Sequence, residues 1–225
     1  MNKPQPFSTL GLCIASLVLF IAPFAVAQNA ATPAPQAGAT AAQSPADTLH
    51  QNMRKLWTDH VVWTREFIIA ATENPPDVKA VTDRLMKNQE DIGSAVGTVY
   101  GDAAGQKLTT LLKEHIAIAA DLVKAAKAKD TAKQTQADQK WHKNAQDIAD
   151  FLSQANPNWP KATLMDLLNM HLSTTADEVN ARLKKDWDAD VKAFDAVYSH
   201  ILKMSDALSD GIVKQFPQKF AASAM

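Results

Sequence analysis

A histidine recurs three times in this chain on an apolar helical stripe, and that recurrence constrains the fold more than any other feature. In KLTTLLKEHIAIAADLVKAAKA, residues 107–128, Leu108, Leu111, Leu112, Ile118, Ala119 and Leu122 share one stripe with His115 in its middle. Their i, i+3, i+4, i+7 spacing is that of a buried helix face. LWTDHVVWTREFI carries His60, 55 residues earlier, and LLNMHLSTTADEV carries His171, 56 residues later. An imidazole on such a face must be hydrogen-bonded, paired or metal-bound, because an unsatisfied buried polar group costs roughly 1–3 kcal/mol. The spacing predicts an all-α, up-and-down bundle of six long helices, three repeated αα-hairpins of about 56 residues.

The breaks between stripes place the helices. The first spans about 44–72, with Leu49, Met53, Leu56, His60, Trp63 and Phe67 inward, and Asn74-Pro75-Pro76-Asp77 stops it. The second, about 77–99, buries Val81, Leu85, Asn88, Ile92 and Val96 and ends at Tyr100-Gly101-Asp102. The third is the 107–128 stretch, ending near Lys129-Asp130. The fourth, about 131–154, buries Trp141, Asn144, Ile148 and Phe151, and Asn156 to Pro160 (NPNWP) is the strongest turn signal in the chain. The fifth, about 163–184, buries Leu164, Leu167 and His171. The sixth, about 186–216, buries Phe194, Val197, His200 or Ile201, Met204 and Leu208.

On the even helices the positions matching the three histidines are Asn88, Asn144 and His200, at steps of 56. Each of the six polar residues lies about 14 residues, roughly 21 Å, from its adjoining turns. The sequence therefore predicts one polar layer across the middle of an apolar core.

Two readings of that layer follow. In the first, His–Asn and His–His pairs across the hairpins satisfy one another and fix helix register. In the second, His60, His115, His171 and His200, with Asn88 and Asn144 completing the layer, hold a transition metal such as Zn, Cu or Ni. The helical metal spacings Glu-x-x-His, His-x-x-x-His and His-Glu-x-x-His are absent from the sequence. Asp91 and Asp147, three residues past the layer asparagines, suit a solvated or hydrogen-bonded role. There is no Cys-x-x-Cys-His, which excludes covalently attached haem.

Other motifs are weaker. The Asp-x-Asp steps of Asp186-Trp187-Asp188-Ala189-Asp190 read as acids in a helix's first turn, where the macrodipole favours them. His50 and His142 read as surface residues, and Trp57, Trp63, Trp141, Trp159 and Trp187 as core or helix-end anchors. No Gly-rich phosphate loop, alternating strand–helix pattern, nucleophile–base pair or acid–base pair is present, so no catalytic residue is assigned.

The N-terminal segment reads as a secretory signal over residues 1–27. Lys3 precedes an apolar run from Leu10 to about Ala22, and Ala25-Val26-Ala27 supplies a small-x-small cleavage pattern. The run is short for a membrane span, and no transmembrane helix is expected in the mature protein. Cys13, the single cysteine, would leave with the signal, so no disulfide framework is expected. Residues 28–47, rich in Ala, Pro, Gln and Thr, read as a disordered linker, and residues 48–220 as the six-helix domain. Without Lys3, 22 basic residues face 24 acidic ones, and no basic run argues for nucleic acid.

At LWTDHVVWTREFIIAA, KNQEDIG, LLKEHIAIAADLVKAAKA, KWHKNAQDIADFLSQANPNWP and GIVKQFPQKF, the chain resembles an uncharacterised group of bacterial all-helical proteins, over roughly residues 54–220. Relatives of this appearance are sometimes labelled glycosyltransferase or acetylglutamate kinase. Those activities need nucleotide-binding folds that these residues do not supply, and the resemblance implies no catalytic residues. The sequence thus points to an exported, periplasmic or extracellular, helical binding or structural protein of the cell envelope. The alternative is a metal- or cofactor-binding bundle built on the histidine layer.

Overall fold

Seven α-helices order the described part of the chain, residues 43–73 and 76–221 of a computed structural model, with no strand among them. They are α1 (Pro45–Glu73), α2 (Val78–Tyr100), α3 (Asp102–Lys127), α4 (Thr131–Ala155), α5 (Lys161–Lys184), α6 (Trp187–Gln215) and the one-turn α7 (Pro217–Phe220). The expected signal segment, most of the expected linker and the Asn74-Pro75 turn lie outside the described residues. Chain neighbours pack side by side and α1 also packs on α6, so the six long helices form a closed ring. α1 touches α3 and α5 as well. The protein is an all-α helical bundle, and among the described residues no helix is long and apolar enough to cross a membrane.

Local chemistry explains the ends. The α3–α4 and α5–α6 turns use the same device. Lys129 and Lys185 adopt left-handed backbone, at φ 56° and 59°. The amide of Asp130 then donates back to the Ala125 carbonyl, and that of Asp186 to the Ala181 carbonyl, satisfying carbonyls a helix end would otherwise orphan. Asp130 and Asp186 cap the following helices by accepting from the amides of Lys133 and Ala189. At the opposite end, Gly101 alone joins α2 to α3 at φ 90°, a conformation L side chains rarely adopt. These two helices approach backbone to backbone: a Cβ on Gly93 would stand 2.7 Å from the Gly105 carbonyl oxygen.

The NPNWP turn is locked to both neighbours. The Asn156 side chain is fully buried, and its Nδ2 donates to the Tyr100 hydroxyl (2.8 Å). That hydroxyl donates to Gln215 (2.7 Å), and Gln215 Nε2 returns to the Ala155 carbonyl (3.1 Å). Trp159 is buried against α6, its indole N–H on the Leu208 carbonyl.

The buried faces extend beyond the expected stripes, commonly by the next residue along the helix. In α1, Trp57, Val61, Thr64 and Ile68 are buried, while Leu49, Leu56 and Trp63 are only partly so. Leu168 and Leu172 are buried rather than Leu167, and Leu152 rather than Phe151; of the two alternatives on α6, Ile201 is the buried one. Each helix of a closed ring packs on two neighbours, so its buried arc is wider than one stripe.

Candidate functional site: a buried histidine layer

His60 on α1, His115 on α3 and His171 on α5 meet at the centre of the bundle, at 2%, 3% and 4% exposure. Their rings form a chain: His60 to His171 at 5.6 Å between centroids, and His171 to His115 at 6.1 Å, the latter stacked. The Trp57 ring meets His60 edge-on at 5.5 Å, and Trp141 lies 5.2 Å from His115.

The hydrogen bonds fix the protonation pattern. Trp141 Nε1–H, which can only donate, reaches His115 Nε2 at 3.0 Å. That nitrogen must accept, so the proton sits on Nδ1 and is donated to Asn144 Oδ1 at 2.8 Å. His115 therefore has both nitrogens committed as a neutral imidazole. His60 Nδ1 donates to Gln89 Oε1 at 3.2 Å, and Gln89 is oriented by its own bond to the Leu85 carbonyl. His171 Nδ1 is buried without a hydrogen-bond partner.

The pairs expected across the hairpins are thus partly corrected. His115 and Asn144 do pair. His60 pairs with Gln89, one residue beyond Asn88, and His200 does not reach for His171. Instead Asn88, Asn144 and His200 make one equivalent bond, each donating to the carbonyl four residues before a layer histidine. Asn88 reaches the Leu56 carbonyl (3.0 Å), Asn144 that of Leu111 (3.1 Å) and His200 that of Leu167 (2.8 Å).

Burial drives the electrostatics. It lowers His60 to about 4, with the nearby His115 adding to the shift, and lowers His115 to about 4 despite its bond to Asn144. His171 falls well below the ordinary value, from burial first and then from His60, His115 and His200. A proton added to His115 Nε2 would also face the Trp141 N–H, two donors head to head.

As arranged, these groups suit structural hydrogen bonding better than ligation. No group of three or more His, Cys, Asp or Glu among the described residues is disposed to hold a metal ion. His115 has no free nitrogen, and His200 is only partly buried with its Nε2 on a carbonyl. The remaining histidines lie outside the layer: His50 beside Asp206 and Asp210, His142 half-exposed near Asp138.

A second buried polar cluster, not anticipated from the sequence, ties α1, α5 and α6. Arg65 donates to Glu178 (2.7 Å) and through both terminal nitrogens to Asp190 (3.0 and 3.1 Å). Arg182 joins Asp190 to Glu73. Glu178 is 1% exposed, its second oxygen lacks a partner, and burial pushes its carboxyl up to about 7. Asp190 lies in the first turn of α6 as expected, and is 2% exposed and held by two arginines. The available signal was Glu178 itself, seven residues after His171 on the same face of α5. Trp187, at the start of α6, stays half-exposed with the Arg182 guanidinium over its ring.

No known protein family, curated protein or solved structure matches this chain.

Proposed function

We propose that the protein is an exported helical binding or structural protein of the cell envelope, and not an enzyme. The observation that carries this reading is how the layer uses its polar atoms: Asn88, Asn144 and His200 each hold the neighbouring helix's backbone, and His115 spends both nitrogens inside the bundle. Groups engaged in this way set helix register and leave no base or nucleophile facing solvent. The three equivalent bonds, with the shared turn at Lys129-Asp130 and Lys185-Asp186, support reading the three hairpins as copies of one unit. Export rests on Lys3, the apolar run and Ala25-Val26-Ala27. Mass spectrometry of the exported protein is expected to find Gln28 first; an intact N-terminus on soluble exported protein removes this part of the reading.

A second reading, a metal- or cofactor-binding bundle, is favoured by one observation, the partnerless Nδ1 of His171. Metal content and melting temperature of the purified protein separate the two. The expected result is no bound metal and no shift with Zn, Cu, Ni, Co or Fe. A bound ion raises the melting temperature in proportion to RT ln(1 + [L]/Kd), so a concentration-dependent rise that His171→Leu abolishes would establish the second reading.

A further inference from the structure

Beside the histidine layer the core encloses a cavity of about 30 Å³. All six long helices contribute to its wall, and what the wall presents to the space is entirely apolar. On single helices the lining runs from Leu108 to His115, from Leu164 to His171 and from Met204 to Ile212.

We propose that this cavity is a binding site for a small, uncharged, apolar molecule. It deepens the binding half of the reading above by naming a ligand class. Charge is excluded because no lining residue carries one that could replace a ligand's lost hydration. Water is a poor occupant, since it needs two to four polar partners and the wall offers carbon. The layer explains this: His60 and His115 turn nitrogens toward Gln89, Asn144 and Trp141, leaving ring carbon for the cavity. Apolar cavities of this kind stay dry and admit apolar guests; an engineered one of about 150 Å³ takes benzene or xenon. The present cavity is smaller than that and smaller than a xenon atom, so a guest of xenon's size enters only as lining side chains give way. Met53 and Met204 are the lining side chains best able to move for a longer one, being unbranched and flexible.

The test is methyl NMR of the purified protein under xenon pressure. The expected result is a saturable shift of the methyl groups of Met53, Val96, Leu112, Leu168 and Met204, with surface methyls unmoved. Val96→Ile adds one methylene to the wall and should weaken xenon binding several-fold. No saturable change at these methyls in the wild type, or a response spread evenly over surface methyls, overturns the proposal whether or not the variant folds. That failure would remove the core ligand alone; export and the register role are read by the N-terminal mass, the metal response and the His115 cycle.

Discussion

Acidification should unfold this protein early, beginning as pH falls through about 6.5. A histidine held near 4 in the fold and near 6.5 in the unfolded chain takes up its proton more readily when unfolded. Stability from such a group is fully present above the unfolded value, declines as pH falls below it, and is lost once pH passes the folded value. For His60 and His115 the loss is about 2 kcal/mol each by pH 5 and about 3 kcal/mol each below pH 4. His171 acts in the same direction. These losses are comparable with the whole stability of an ordinary domain, about 5–15 kcal/mol. The three rings are neighbours, so charging one makes charging the next costlier, and the bundle should unfold before the layer fills with protons. Denaturant unfolding at pH 7, 6, 5 and 4 checks this; a free energy that changes by less than about 1 kcal/mol across the series would show that the layer is not buried and neutral.

Glu178 shapes the other side of the profile. Its carboxyl is pushed up to about 7 by burial, so the fold binds this proton more tightly than the unfolded chain does. Its contribution therefore weakens stability as pH rises from 4.5 through 7, the reverse of the histidines. Arg65 and Arg182 face it and favour its charged form, while the neighbouring carboxylate of Asp190 opposes it. The expected profile has its maximum near pH 6–7, and Glu178→Gln should flatten the fall toward pH 8 and steepen the acid limb.

The architecture was legible because its signals are local. Helix ends follow from Gly101, the Lys-Asp turns and NPNWP, and the level of the layer follows from counting residues between them. What could not be read is what depends on helix rotation. Asn88 and Gln89 are adjacent, about 100° apart on the helix, and both fully buried; only the rotation of α2 decides which reaches His60. The same uncertainty separates His200 from Ile201. His200 chooses the Leu167 carbonyl over His171 because an antiparallel neighbour offers its backbone at the same depth, as Leu56 and Leu111 do to the asparagines. The bond from Trp141 to His115 joins residues 26 apart on different helices, and nothing in either stripe marks it. The cluster around Glu178 was missed for a different reason: Glu and Asp near a helix end read as solvated unless the matching arginine, here on α1, is known to approach.

Replacing His115 should cost far more in the wild-type background than in one where its partners are already apolar. His115→Ala opens a cavity and strands two buried groups, Asn144 Oδ1 and the Trp141 N–H, for a total loss of roughly 4 kcal/mol or more. His115→Leu refills most of the volume but still strands both. Asn144→Leu alone leaves the Trp141 donor unpaired when combined with it, so a double leucine variant is not yet neutral. Adding Trp141→Phe removes the last orphan. In the Asn144→Leu, Trp141→Phe background, the penalty for His115→Leu should therefore shrink by roughly 2–4 kcal/mol, since no buried polar group is left to strand. The cycle cancels the volume lost at Trp141, because that change is present in both background proteins. Additive penalties would mean that the triad carries no coupled hydrogen bonding. A large coupling, together with an absent metal response, assigns His115 to holding α3 and α4 in register, with the same polar atoms that keep it neutral.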